Sequence, residues 1–153
     1  MIKIGALVKN LGSSQLSYYL INNFNKVAGK GNEDTTFYCE NVEKDCMFAR
    51  FPTMQIAEAW GQEGIMIATS LSTAKYMASY PSANTKIYYV WDLEWLRMPH
   101  NYNPVLDLFY NNKIKIISRC NNHSAVIENS FNRKVDHILE NFDIDTILKI
   151  CEE

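Results

Sequence analysis

Apolar runs of strand length recur along this chain, and each is followed by a segment with helical spacing. Residues 2–8 (IKIGALV) read as a buried strand, and Lys9 to Gly12 make a polar loop after it. Ser13 or Ser14 can cap a helix through Lys30, in which Leu16, Tyr19, Leu20 and Phe24 fall on one face. Gly29 to Asp34 is turn-like, and 35–41 (TTFYCEN) is strand-like in its β-branched and aromatic content. Residues 46–51 (CMFARF) suggest a short strand, and Pro52 or Thr53 a helix start that ends at Gly61. The pattern continues with strand 65–70, a helix over 72–80 that stops before Pro81, and strand 86–92 (KIYYVWD). Pro104 suits the first turn of a helix through Tyr110, followed by strand 113–118 and helix 121–131. Strand 135–140 and helix 143–152 complete the series.

About six such βα units predict one doubly-wound, Rossmann-like α/β domain, with a mainly parallel sheet and helices on both faces. No Pro/Gly/Ser-rich linker or internal repeat divides the 153 residues. In such sheets ligands bind outside the carboxyl ends of the strands, where strand order reverses. The strand ends are therefore where chemistry is sought.

Composition narrows the partners. At 47% hydrophobic and 21% charged, the chain can build a core and is not a disordered segment. A net charge of -2 without a dense Lys/Arg run argues against a nucleic-acid partner, with room left for a local basic patch. Cys39, Cys46, Cys120 and Cys151 are dispersed, with no CxxC pair, and histidine is limited to His100, His123 and His137. Both facts argue against a metal site. The amino-terminal apolar run is too short for a signal peptide or a membrane span, and the free thiols fit a reducing cytoplasm.

Five strand ends carry candidate groups. After the first strand, Gly12, Ser13 and Ser14 could present backbone N–H groups and hydroxyls to an anion or a sugar. That loop has neither GxGxxG nor GxxxxGK(S/T) spacing, so the dinucleotide and P-loop readings fail, and a plain turn with an N-cap serine also explains it. Ser70 and Ser72, at the next helix start, could bind a polyol or phosphate, or simply cap. Trp91, Asp92, Glu94, Trp95 and Arg97 follow the strongest strand. The carboxylates could accept sugar hydroxyls or serve as a base, and the indoles could form an apolar platform. The structural alternative is an aromatic core corner in which Asp92 caps the next turn and Arg97 pairs with Glu94. Arg119 could neutralise a phosphate and His123 could act as acid or base, or both could be surface residues near a helix start. Residues Glu140 to Asp143 read as a capping turn.

The succession IKIGALVKNLGSS, IATSLSTA, KIYYVWDLEW and IISRCNNHSAVIE resembles the amino-terminal domain of GT-B glycosyltransferases over nearly the whole chain. It is also similar to small glycosyltransferase-like proteins of tailed phages, including those that decorate modified DNA bases. The resemblance implies an acceptor-side domain with Gly12, Asp92 and His123 in the cleft. It implies no resident cofactor, a nucleotide-sugar as donor, and Asp92 or His123 as base with Arg119 assisting the leaving phosphate. Because GT-B enzymes bind the donor mainly on a second domain, it also implies completion by a homodimer mate or a partner chain, in the host cytoplasm for a phage protein. The alternative reading is a non-catalytic binding module that docks a protein through Trp91, Trp95 and Tyr102.

Overall fold

The computed structural model describes residues 1–98 and 102–153. His100 lies outside them, as does the side chain of Tyr102. Seven strands form one sheet: β1 (Ile2–Val8), β2 (Glu33–Cys39), β3 (Thr53–Gln55), β4 (Gly64–Ala68), β5 (Ala83–Val90), β6 (Ile114–Ser118) and β7 (His137–Ile138). Their order is β3-β2-β1-β4-β5-β6-β7. Every pairing is parallel. The count is seven rather than about six because very short strands close both edges, a common way to blunt unpaired edge groups.

The central strands show why continuous apolar runs are needed here. Ile4 to Val8 are buried without alternation because both sheet faces are covered. Ile4, Ala6, Val8, Ile67, Tyr89 and Ile117 point to the side packed by α1 (Gln15–Ala28) and α5 (Ile144–Glu152). Leu7, Met66, Ala68, Tyr88, Val90 and Ile116 point to the side packed by α2 (Leu71–Ser79), α3 (Tyr102–Tyr110) and α4 (Asn121–Phe131). The doubly-wound α/β expectation therefore holds.

The expected strand at 46–51 does not form. Its backbone is held instead by a helix side chain: Asn25 Oδ1 accepts from the Arg50 amide at 2.8 Å, and Asn25 Nδ2 donates to the Phe48 carbonyl at 2.8 Å. Phe51 drops into the core against Phe37, while Phe48 is 80% exposed. The helix expected from residue 52 or 53 is replaced by β3, which pairs with Phe37 to Cys39, and by a 3-10 helix, Ile56–Gly61. Strands read as 35–41, 65–70, 86–92 and 135–140 are shifted toward the amino terminus or shortened, because the polar residues closing them serve in loops and caps.

Candidate functional site

Strand order reverses at β1: β2 and β3 lie to one side, and β4 to β7 to the other. The chains leaving β1 and β4 diverge there to opposite faces and leave a crevice between them. After β1, Asn10 Oδ1 accepts from the Gly12 amide at 3.0 Å, while the Lys9 and Leu11 carbonyls accept from the Asn41 and Cys46 amides. This pinned loop delivers Ser14 to the N-cap of α1, where its hydroxyl accepts from the Ser17 amide at 3.1 Å. After β4, the Thr69 hydroxyl donates to the Leu7 carbonyl at 3.0 Å, tying the two strand ends together. Ser70 caps α2 in a reciprocal box with Thr73. The crevice between the loops has a volume of about 300 Å³ and is lined by Lys9, Asn10, Ser14, Thr69 and Ser70, together with Trp91, Asp92 and Glu94 from the end of β5.

The two carboxylates have separate partners. Glu94 is only 17% exposed, and its Oε2 accepts from the Leu71 amide at 2.6 Å while its Oε1 pairs with Lys9 Nζ at 2.9 Å. An anion thus already sits at the amino terminus of α2, where the helix dipole favours it, which disfavours a phosphate in the same place. Asp92 pairs with Arg97 and accepts from the Leu93 amide at 2.9 Å. The expected Arg97–Glu94 pair is therefore wrong: a backbone amide of α2 and a lysine of the β1 loop, both distant in sequence, take Glu94. Both carboxylates are thus held in place by a backbone amide and a cation, with lone pairs left to accept hydroxyls of a ligand.

Trp91 stands between this crevice and a second depression. Its ring contacts those of Tyr19 and Tyr89, and the Arg119 guanidinium carbon lies 4.0 Å from its centroid. Arg119 also donates to the Trp91 carbonyl at 3.4 Å. Trp95, expected on the surface with Trp91, is buried at 2% exposure in edge contacts with Phe109 and Phe131. The short 3-10 helix Glu94–Arg97 turns it inward, so it cannot serve as a platform or a docking residue.

The second depression measures about 370 Å³ and contains Arg119, Cys120, His123, Glu140 and Asn141. Burial, reinforced by the Arg119 charge and opposed by Asp92, lowers the His123 pKa, so the imidazole is neutral at pH 7. Its Nδ1 is buried with no hydrogen-bond partner among the described residues. The far wall is a turn in which Asn141 and Phe142 both take left-handed backbone conformations, with φ of 54° and 57°. Tyr89 holds that turn by donating its hydroxyl to the Leu139 carbonyl and accepting from the Phe142 amide at 3.4 Å. Asn23 Nδ2 adds a bond to the Asn141 carbonyl at 2.9 Å. Burial pushes the Tyr89 hydroxyl up to about 12, so it remains a donor throughout the neutral range.

Of the residues singled out by sequence, Ser14, Ser70, Trp91, Asp92 and Glu94 meet in one crevice. Ser72 lines a neighbouring cavity, and Arg119 and His123 lie across Trp91. Gly12 is tucked against Asn10 and Glu43, and Ser13 is exposed; neither lines the crevice. Sequence reasoning passed over Lys9, Asn10 and Thr69 in favour of neighbours in the same loops. Lys9 and Thr69 are fixed by partners on another strand end, Glu94 and the Leu7 carbonyl, which no local pattern encodes, whereas Asn10 is held within its own loop by the Gly12 amide.

No family model, curated protein or solved structure matches the chain. The site is thus read from its own chemistry. Among the described residues no group of three or more His, Cys, Asp or Glu could hold a metal ion. Nor is any described helix long and apolar enough to cross a membrane.

Proposed function

We propose that the chain is a glycosyltransferase-like domain that holds a sugar- or nucleotide-containing acceptor in the crevice between β1 and β4. One observation carries the reading: the crevice at the reversal of strand order is walled by hydroxyls, a carboxamide, two anchored carboxylates and an indole. Hydroxyls and carboxylates supply the donors and acceptors a polyol needs, and a half-buried aromatic supplies an apolar face. In transfer, the acceptor hydroxyl oxygen would bond to the anomeric carbon as the nucleotide phosphate leaves. The acceptor proton would pass to Asp92 in the crevice or to His123 across Trp91, and Arg119 would face the departing phosphate. The resemblance to amino-terminal GT-B domains assigns the nucleotide-sugar to a second domain, contributed by a dimer mate or a partner chain.

The test is a thermal-shift series with methyl glycosides, nucleosides and nucleotide-sugars. A ligand at a hundredfold its Kd adds about 2.7 kcal/mol, which raises Tm by roughly 5–10 °C for a domain of this size. Asp92→Asn, at an exposed position, should keep the unliganded Tm and lose most of the ligand shift. Absence of a shift with every compound would overturn the proposal.

A further inference from the structure

A larger cavity adjoins the crevice on the α2 side of the sheet. It measures about 460 Å³, and its walls are Leu71, Tyr76, Met98 and Val105, with Ser72 and Ser79 as hydroxyls. Leu71 and Val105 belong to the core, at 5% and 2% exposure, so the floor is rigid and apolar. Lys9 and Glu94 line this cavity and the crevice alike, and their 2.9 Å ion pair is the partition between them. Glu94 is fixed by the Leu71 amide, whereas the Lys9 side chain is 53% exposed and, among the described residues, is attached by this bond. The two cavities thus form one cleft, with a polar chamber and an apolar chamber on either side of a salt bridge.

The geometry points to an acceptor of two parts: a sugar in the crevice and, attached to it, an aromatic ring in the apolar chamber. The inference rests on the glycoside-binding reading of the crevice and adds the class of group joined to the sugar. A flat ring suits the chamber because leucine, valine, methionine and tyrosine walls reward apolar area, and thioether and aromatic groups favour ring contacts. Charge narrows it further. Glu94 is neutralised by Lys9, and Lys75, also lining the chamber, has no ion pair among the described residues. The local surplus is positive, so the ring is neutral or anionic rather than cationic.

The experiment uses the ¹⁵N-labelled chain titrated with methyl and 4-nitrophenyl glycosides of glucose, galactose and mannose. Amide shifts at Ser14 and Ser70 report the crevice, and those at Ser79 and Val105 report the apolar chamber. The expected result is that an aryl glycoside moves both sets and binds about tenfold or more tightly than its methyl counterpart, which moves only the first. Tyr76→Ala, at an exposed wall position, should abolish the aryl preference while leaving methyl-glycoside affinity unchanged. Equal affinity for the two series with shifts confined to the crevice overturns the apolar-chamber assignment and leaves the crevice reading standing. An aryl preference that survives Tyr76→Ala overturns it as well. No shift at Ser14 and Ser70 with any glycoside overturns the crevice reading, and this inference with it.

Discussion

Tyr88 has a fully buried hydroxyl with no hydrogen-bond partner among the described residues. Burial above all, then the charges of Glu94 and Asp92, drives its pKa well above the ordinary tyrosine value. An unmade hydrogen bond costs more than an absent one, so Tyr88→Phe should be neutral or stabilising by up to about 1 kcal/mol. Urea denaturation measures this, and a loss above that size would mean that the hydroxyl has a bonded partner. His123 gives a second test. Its pKa in the folded chain is below the ordinary value of 6.5, so its contribution to stability is complete above that value and disappears as pH falls through the folded one. His123→Gln should therefore lose less stability than the parent between about pH 7.5 and pH 5, read from urea midpoints. At this scale the sequence pointed to the right residue types and missed their partners. Asp92 and Glu94 are two residues apart, yet one binds Arg97 and the other Lys9 and the Leu71 amide.

Among the elements, the turn from Leu139 to Phe142 shows most clearly what local reading leaves out. The sequence reads as a capping turn over Glu140 to Asp143, and Asp143 does occupy the N-cap of α5, though without a side-chain bond to the helix backbone. Its two left-handed residues are dictated by Tyr89 and Asn23, which are far away in sequence. Phe142 accepts that backbone because its ring is completely buried against Phe24 and Tyr89. Phe142→Gly relieves roughly 1 kcal/mol of strain but forfeits about 3–5 kcal/mol of packing, a net loss of roughly 2–4 kcal/mol. Asn141→Gly, on the exposed neighbour, should be neutral or slightly stabilising. Thermal melts of the two variants separate the roles, and equal losses would show that the ring adds nothing. Helices were legible where caps and periodicity agree, as at Ser14 and Ser70. The strand expected at 46–51 failed because Asn25 of α1 takes its backbone groups, a contact no periodicity encodes.

For the molecule as a whole, the β1–β4 seam is the structural premise of the crevice. Gly64 opens β4 with φ of 83°, and a Cβ there would collide with the Lys3 carbonyl oxygen of β1. Gly64→Ala should cost about 2 kcal/mol or more, because strain and a backbone clash combine at the central strand pair. Gly31→Ala, at φ of 77° with open space around it, should cost only about 1 kcal/mol. Chemical denaturation compares them, and similar losses would mean that the seam yields locally. What the sequence determined by itself was the class of architecture: continuous apolar strands alternating with capped amphipathic helices can bury their surfaces only as a parallel sheet covered on both faces. What only the tertiary structure decided was which strand ends are neighbours. Periodicity states how each segment is buried, while strand order is fixed by packing between segments far apart in the chain. That packing placed β1 beside β4, brought Ser14, Ser70, Asp92 and Glu94 to one crevice, turned Trp95 into the core, and left Arg119 and His123 across Trp91.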